Sequence, residues 1–476
     1  MNESQVIYQR PCPELWIYDK NANLKSSDKT PKLKFSLNDT NVLQSYSFSL
    51  NTSSVEGSFQ LTFYPETESG AVGTSLFDRI DKLDLIEIYE KKIGNINDFP
   101  AFVGIVKKKR YKASMSGNGI TRRLFVTGIA VVGLTSQFSL SLDTNTCAIT
   151  NEAAANESLS KGLTVQLADD RDLSSIISKV FSYFIEVANK TGMGNVGIMK
   201  ILENCIGEIQ DIISVQGDVS IGYDLGQIFD GETTQNFFSI LENIIPKPVY
   251  EKFAVNDNGI MRIRVRQVPF SKEDWISNKV RSHDIDIRTL KDIDLQETDD
   301  EVYTVFYSYL SGSALSEDKL IKLFAQGGLD SNTTDGTISS NPEKFAMYGY
   351  RLLTCHFRGY VKPDGKADSS SGSMKDLNDA MRDWYSRLDD MLSGTILLSM
   401  TYDDNYDNYI NPGDKIRLLG GEFYVEGIAH SWSYGGNGTI SLSVSRGGRY
   451  DSQGNFSILK NVSQKVKLLE GGRSAD

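Results

Sequence analysis

Over the first 150 residues apolar side chains alternate with polar ones at the period of two that half-buried strands require. Tyr46, Phe48 and Leu50 fall on one face of Val42 to Leu50, and Phe59, Leu61 and Phe63 on one face of Gly57 to Phe63. With the segments that follow and with Val131 to Leu142, this predicts a unit of six to eight strands over residues 1–150. From about residue 151 the spacing becomes helical. Leu173, Ile176, Ile177, Val180, Phe181 and Phe184 follow Asp172, a residue suited to cap a helix, and Ile201, Leu202, Cys205 and Ile209 repeat the spacing. Phe237, Phe238, Leu241, Ile244 and Ile245 repeat it again before Pro246 and Pro248 stop it. Residues 151–256 therefore read as a helix-rich insert. Strands return at Gly259 to Phe270, Asp284 to Ile287 and Glu301 to Leu310. They open a second β unit over 257–450, interrupted at 311–393 by Gly/Ser-rich loops and by a helix from about Met374 to Leu392. The stripe of that helix, Leu377, Met381, Trp384, Leu388 and Met391, is spaced for core packing. A polar tail, 451–476, completes the chain. The fold class expected is mixed and β-dominated α+β.

One pattern is written twice. The first copy runs D-K-L-D-L-I-E-I (Asp81 to Ile88), F-V-G-I-V (Phe102 to Val106) and G-N-G-I-T-R-R-L-F-V-T-G (Gly117 to Gly128). The second runs D-K-I-R-L-L (Asp414 to Leu419), Y-V-E-G-I-A (Tyr424 to Ala429) and G-N-G-T-I-S-L-S-V-S-R-G (Gly436 to Gly447). Look-alike hairpins would also give such strings, but the preserved order of three elements favours duplication.

Composition narrows the class. With 39% hydrophobic and 24% charged residues in 476, the chain has the make-up of soluble globular domains. The formal net charge of -12 disfavours stable binding to nucleic acid or anionic membranes. Neither an apolar run of membrane-spanning length nor a signal-peptide layout at the start is seen, so residence in a cytoplasm is expected. Cys12, Cys147, Cys205 and Cys355 lie far apart and match neither a disulfide framework nor a zinc ribbon.

The candidate chemistry is sparse. Cys355 and His356 are neighbours on a predicted strand, so their side chains point to opposite faces. Gly192, Gly194 and Gly197 spell G-x-G-x-x-G, but a helix precedes them where a dinucleotide site needs a strand. Asp403, Asn405, Asp407, the Tyr409 carbonyl, Asn411 and Asp414 have the offsets of a calcium loop; Asn408 in place of Gly and flanking strands favour a polar hairpin. Acidic neighbours such as Asp299, Asp300 and Glu301, or Asp389 and Asp390, do not define a glycosidase pair. Arg262, Arg264 and Arg266 share one strand face, and Lys107, Lys108, Lys109, Arg110 and Lys112 form a basic run. Solvation or carboxylate pairing explains both; a subunit contact or a channel lining is the sharper reading. No catalytic, cofactor or metal residue is assigned, and no enzyme is expected.

Several segments together resemble the tail-hub family: the central baseplate hub proteins of phage tails, the late control protein D group and the N-terminal part of the type VI secretion spike protein. They are G-S-F-Q-L-T-F (Gly57 to Phe63), R-I-R-V-R-Q-V-P-F ending at Phe270, Y-G-Y-R (Tyr348 to Arg351), S-G-T-I-L-L (Ser393 to Leu398) after Trp384, and the run from Asn411 to Gly447. The resemblance implies two similar β-barrel-like tube domains, 1–150 and 257–450, and a homotrimer forming a pseudo-sixfold ring around an axial channel. It implies partners in the hexameric tail tube protein, the trimeric central spike, the tape-measure protein and other baseplate proteins. It also implies a place in the virion tail after assembly in the host cytoplasm, and no catalysis of its own. A second expectation, of another class, is a β-rich carbohydrate-binding or cell-wall-degrading tail-tip protein, with Tyr402, Tyr406 and Tyr409 stacking on sugars.

Overall fold

The period-two segments become antiparallel strands. The computed structural model describes residues 12–36, 42–64, 76–91, 99–116, 119–137, 139–141, 198–206, 213–216, 234–236, 248–269, 280–310, 331–333, 336–357, 372–400, 409–419, 421–450 and 456–457. The first set of strands comprises β1 (Cys12–Tyr18), β2 (Leu33–Phe35), β3 (Leu43–Asn51), β4 (Ser54–Phe63), β5 (Leu85–Lys91), β6 (Phe102–Ser116) and β7 (Gly119–Ala130), with a one-turn helix α1 (Leu76–Arg79) before β5. Then come β8 (Ser139–Ser141), α2 (Ile198–Ile206), β9 (Ile213–Gln216), β10 (Thr234–Asn236), β11 (Tyr250–Asp257), β12 (Ile260–Gln267), β13 (Ser282–Asp284), β14 (Leu290–Gln296) and β15 (Val305–Leu310). The remainder is β16 (Ser331–Thr333), β17 (Gly336–Ser340), α3 (Pro342–Tyr348), β18 (Leu352–Phe357), α4 (Gly372–Tyr385), β19 (Leu392–Ser399), β20 (Lys415–Leu418), β21 (Gly421–Ser433), β22 (Thr439–Tyr450) and β23 (Phe456–Ser457).

The two β-barrel-like units expected from the resemblance do not appear as closed barrels among the described residues. A single 14-stranded sheet carries both sets, ordered β14-β19-β22-β21-β3-β4-β7-β6-β5-β1-β2. The joint is a seven-pair ladder from Gly427 opposite Asn51 to Ser433 opposite Ser45. Both joining strands offer a free edge and an apolar face, and pairing them satisfies the edge and buries the face together.

Duplication is visible at the level of hydrogen bonds. The order β3-β4-β7-β6-β5 recurs as β14-β19-β22-β21-β20. The bulges coincide: between Leu43 and Ser45 on β3 and between Leu290 and Asp292 on β14, and between Val106 and Lys108 on β6 and between Val425 and Gly427 on β21. The turn entering each meander is the same. Leu83 N donates to Val106 O and Val106 N to Asp84 O; Gly413 N donates to Val425 O and Val425 N to Asp414 O. In both, the buried aspartate takes the backbone N–H three residues before it, Asp81 N at 2.7 Å and Asn411 N at 2.9 Å. Leu83 and Gly413 both hold positive φ, 71° and 79°. The equivalent of Asp414 is thus Asp84, not the Asp81 that the D-K strings suggest. The order of elements is repeated, whereas the matching strings sit three residues out of register.

Two other expectations change. Val131 to Gln137 is a 3-10 helix rather than a strand, with Val131, Val132, Gly133, Leu134 and Thr135 buried. Its apolar run is continuous rather than alternating, and the Thr135 and Ser136 hydroxyls donate back to the carbonyls of Val132 and Gly133. The helix expected to reach Leu392 ends at Tyr385, because Leu392 already begins β19. Its core role stands: Met381 packs with Val249, Phe306 and Cys355, and Asn378 bonds Ser308, Ser339 and the Phe306 carbonyl. The helical patterns at 173–184 and 237–245, the glycines at 192, 194 and 197, and most of the tail lie outside the described residues.

Candidate functional site

The chemistry of the described residues concentrates where the two strand sets and the β11–β12 hairpin meet. At the seam, β21 places Ile428, His430 and Trp432 on its inner face, and β3 places Tyr46, Phe48 and Leu50 opposite. The His430 ring stacks on Phe48 at 4.5 Å between centroids, and Trp432 on Tyr46 at 5.7 Å. Glu90 of β5, wholly buried, closes the cluster: Tyr46 Oη donates to it at 3.0 Å and His430 Nδ1 lies at 2.9 Å from its other oxygen. Burial, then the nearby Glu90 carboxylate, push the Tyr46 phenol well above its ordinary range, so it stays protonated and donates.

The outer side of the seam is held by Glu426, the residue at the β21 bulge. It accepts from Thr52 Oγ1 at 2.8 Å and Ser445 Oγ at 2.6 Å and pairs with Arg446, while Thr52 N donates to its backbone carbonyl. Burial pushes its carboxyl upward, but the Arg446 guanidinium and these hydrogen bonds outweigh that and hold it below the ordinary 4.5. A depressed folded value means stability that is present above 4.5 and lost as pH falls through the folded value. The Glu426 side chain is about a third exposed, so solvent screens its pairing, and Glu426→Gln should cost up to about 1 kcal/mol at pH 7, with the gap to the parent closing in urea titrations run towards pH 3.

Each arginine of the β12 face has a carboxylate beside it. Arg262 lies 3.5 Å from Asp257 and Arg264 3.7 Å from Asp414. Arg266, 3% exposed, bonds Glu251, Tyr424 Oη and the Gly413 carbonyl. The carboxylate-pairing reading holds for all three, with Arg266 buried and Arg262 and Arg264 half-buried. Beside them Asn256 and Asn411 exchange hydrogen bonds, Asn256 N to Asn411 Oδ1 at 2.7 Å and Asn411 Nδ2 to Asn256 O at 2.9 Å. Asn256 Nδ2 also donates to the carbonyls of Pro100 and Ala101, so this one residue ties the hairpin to the first strand set through its side chain and to the second through its backbone.

Those contacts bear on the calcium reading. Residues 403–408 lie outside the described residues, but Asn411 is committed to Asn256, and Asp414 Oδ2 accepts from Asn411 N and lies 2.9 Å from His283 Nε2. Two of the six loop positions thus point into the protein instead of toward an ion. Among the described residues no group of three or more His, Cys, Asp or Glu side chains is placed to hold a metal. Tyr409 is half-buried and packs against the core, while Tyr402 and Tyr406 lie outside the described residues. Cys355 is buried, and burial pushes its thiol up, away from the thiolate a nucleophile needs. Of the basic run, Lys109 Nζ donates to the carbonyls of Phe77 and Ile80, each at 2.7 Å, while Lys108, Arg110 and Lys112 are exposed.

Glu90, Glu251 and Asn256 stand in no motif. Their signal is positional: a charged or amide residue inside an otherwise apolar strand, as in L-I-E-I-Y-E from Leu85 to Glu90.

No protein-family model and no curated protein matches the chain. Among solved structures, a tail protein from Neisseria meningitidis MC58 covers 91% of this chain with 96% of its own, at 12% identity and a TM-score of 0.47. The 43 kDa tail protein of prophage MuSo2 from Shewanella oneidensis covers 91% with 98% of its own, at 11% identity and 0.44. The E. coli c3393 protein, a type VI secretion component described as similar to T4 tail proteins gp27 and gp5, covers 88% with 77% of its own, at 8% and 0.34. The structural neighbours are thus phage tail proteins and a type VI secretion component, the group that the sequence resembles. At these identities and TM-scores no residue role is transferred from them.

Proposed function

We propose that the chain is a structural baseplate hub of a phage tail or related contractile injection particle, which adapts the hexameric tail tube to the trimeric spike around an axial channel. The observation that supports it is the double occurrence of one five-strand order, matched down to bulges and turn hydrogen bonds. A homotrimer of such a chain presents six equivalent strand sets to a sixfold tube and keeps threefold symmetry for a spike. On this reading residues 1–150 and 257–450 supply the tube domains, and 151–256 and 311–393 are elaborations. The partners are the tube protein, the central spike, the tape-measure protein and other baseplate proteins, and the place is the virion tail, assembled in the host cytoplasm. The work is geometric, without catalysis or cofactor. Mass measurement and micrographs of the full chain, alone and with its tube protein, should give a trimer and a ring; a monomer under both conditions would end the proposal.

A further inference from the structure

Among the strand edges of the sheet that have no strand beside them in the described residues are the outer edge of β14 and the edge of β6 beyond Val106. Their counterparts within the same chain are joined. β21 beyond Val425 pairs with β3 in the seam, and the coincident bulges fix which residue stands for which. Counting from the bulges, Tyr111, Lys112 and Ala113 of β6 occupy the places of His430, Ser431 and Trp432. Likewise Ile293, Asp294 and Leu295 of β14 occupy those of Tyr46, Ser47 and Phe48.

We infer that β6 of one chain pairs antiparallel with β14 of a second copy in the register of the internal seam. Tyr111 then lies opposite Leu295, Lys112 opposite Asp294 and Ala113 opposite Ile293. Charge supports the partner: Lys108, Arg110 and Lys112 are exposed on β6, while Asp292 and Asp294 are exposed on β14. Burial supports it as well. Tyr111 is 46% exposed where its counterpart His430 is 3% exposed, and Met115, further along the same strand, is 84% exposed. A contact between two different edges is heterologous, so it repeats head to tail and closes only as a ring. The inference rests on the ring reading above and adds the edges and the register by which the ring closes.

Cysteine pairs test the register. Full-length Tyr111→Cys/Leu295→Cys and Lys112→Cys/Asp294→Cys place facing Cβ atoms about 4.5–5.5 Å apart across the new ladder. Under mild oxidation they should give covalent dimers and a ladder of higher species. Tyr111→Cys/Asp292→Cys, displaced by about 10 Å along the strand, should not, and the single variants control for the native thiols. Lys112→Glu should weaken association about two- to fivefold, and Lys112→Glu/Asp294→Lys should restore it. A ring seen in micrographs without the Tyr111–Leu295 cross-link overturns this seam and leaves the hub reading standing. The cross-link in an open filament or a two-chain assembly keeps the seam and overturns the threefold ring. A chain that stays monomeric with its tube protein present overturns both.

Discussion

Replacing Arg266 by methionine should lower the free energy of unfolding by about 3–5 kcal/mol, measured as a shift of the denaturant midpoint. The guanidinium is enclosed between Glu251, Tyr424, the Gly413 carbonyl and the face of Phe253. Its removal leaves the largely buried Glu251 carboxylate with the Tyr424 hydroxyl but no balancing charge, and the Gly413 carbonyl loses a donor. The loss is therefore one of compensation, not of attraction alone. It follows that Arg266→Met/Glu251→Met should be less damaged than Arg266→Met, since the double variant leaves no buried charge behind. A single variant that costs under about 1 kcal/mol, the value of an exposed ion pair, would refute the account.

The second large effect is expected at Gly128. A Cβ there would stand 1.9 Å from the Ile105 carbonyl oxygen and 2.4 Å from the Phe59 ring. β7 is held between β4 and β6, so neither neighbour can withdraw without breaking a ladder. Gly128→Ala should cost about 3 kcal/mol or more and should show as a lowered thermal midpoint or loss of soluble protein. An unchanged midpoint would sink the argument. The duplicate set solves the same cross-strand position the other way round. There the pair corresponding to Phe59 and Gly128 is Gly394 and Val444, with the glycine on the opposite strand and the bulk on β22. One large and one minimal residue fill the space in each set, and only the assignment is exchanged.

That exchange explains why the duplication was legible as an order of elements and not as an alignment. Alternation placed β3, β4 and β22 closely, because their inner faces are apolar at every second residue, whereas Ser393 to Leu398 of β19 stands out only as a string of the resemblance. The D-K and Gly-Asn-Gly strings did recur, but Asp81 and Asp414 hold different places in their turns. What is common to both turns is a buried aspartate and a positive φ, filled once by Leu83 and once by Gly413. The joint between the sets was invisible for another reason: nothing local in Leu43 to Asn51 specifies that its partner is β21. The arginine triplet was read correctly as a shared face, while its pairing with Glu251, Asp257 and Asp414 depends on folding that brings distant segments together.

The seam also has a temporal side. Thr52 meets Glu426, 374 residues later in the chain. At 5–20 residues per second a ribosome needs roughly 20 to 75 s to supply that partner. Throughout this interval Tyr46, Phe48 and Leu50 stand on an open strand edge of the nascent chain, the kind of surface that pairs with whatever strand arrives first. Synthesis of this protein therefore sets a race between its own later half and its neighbours on the polysome, and slower elongation favours the neighbours.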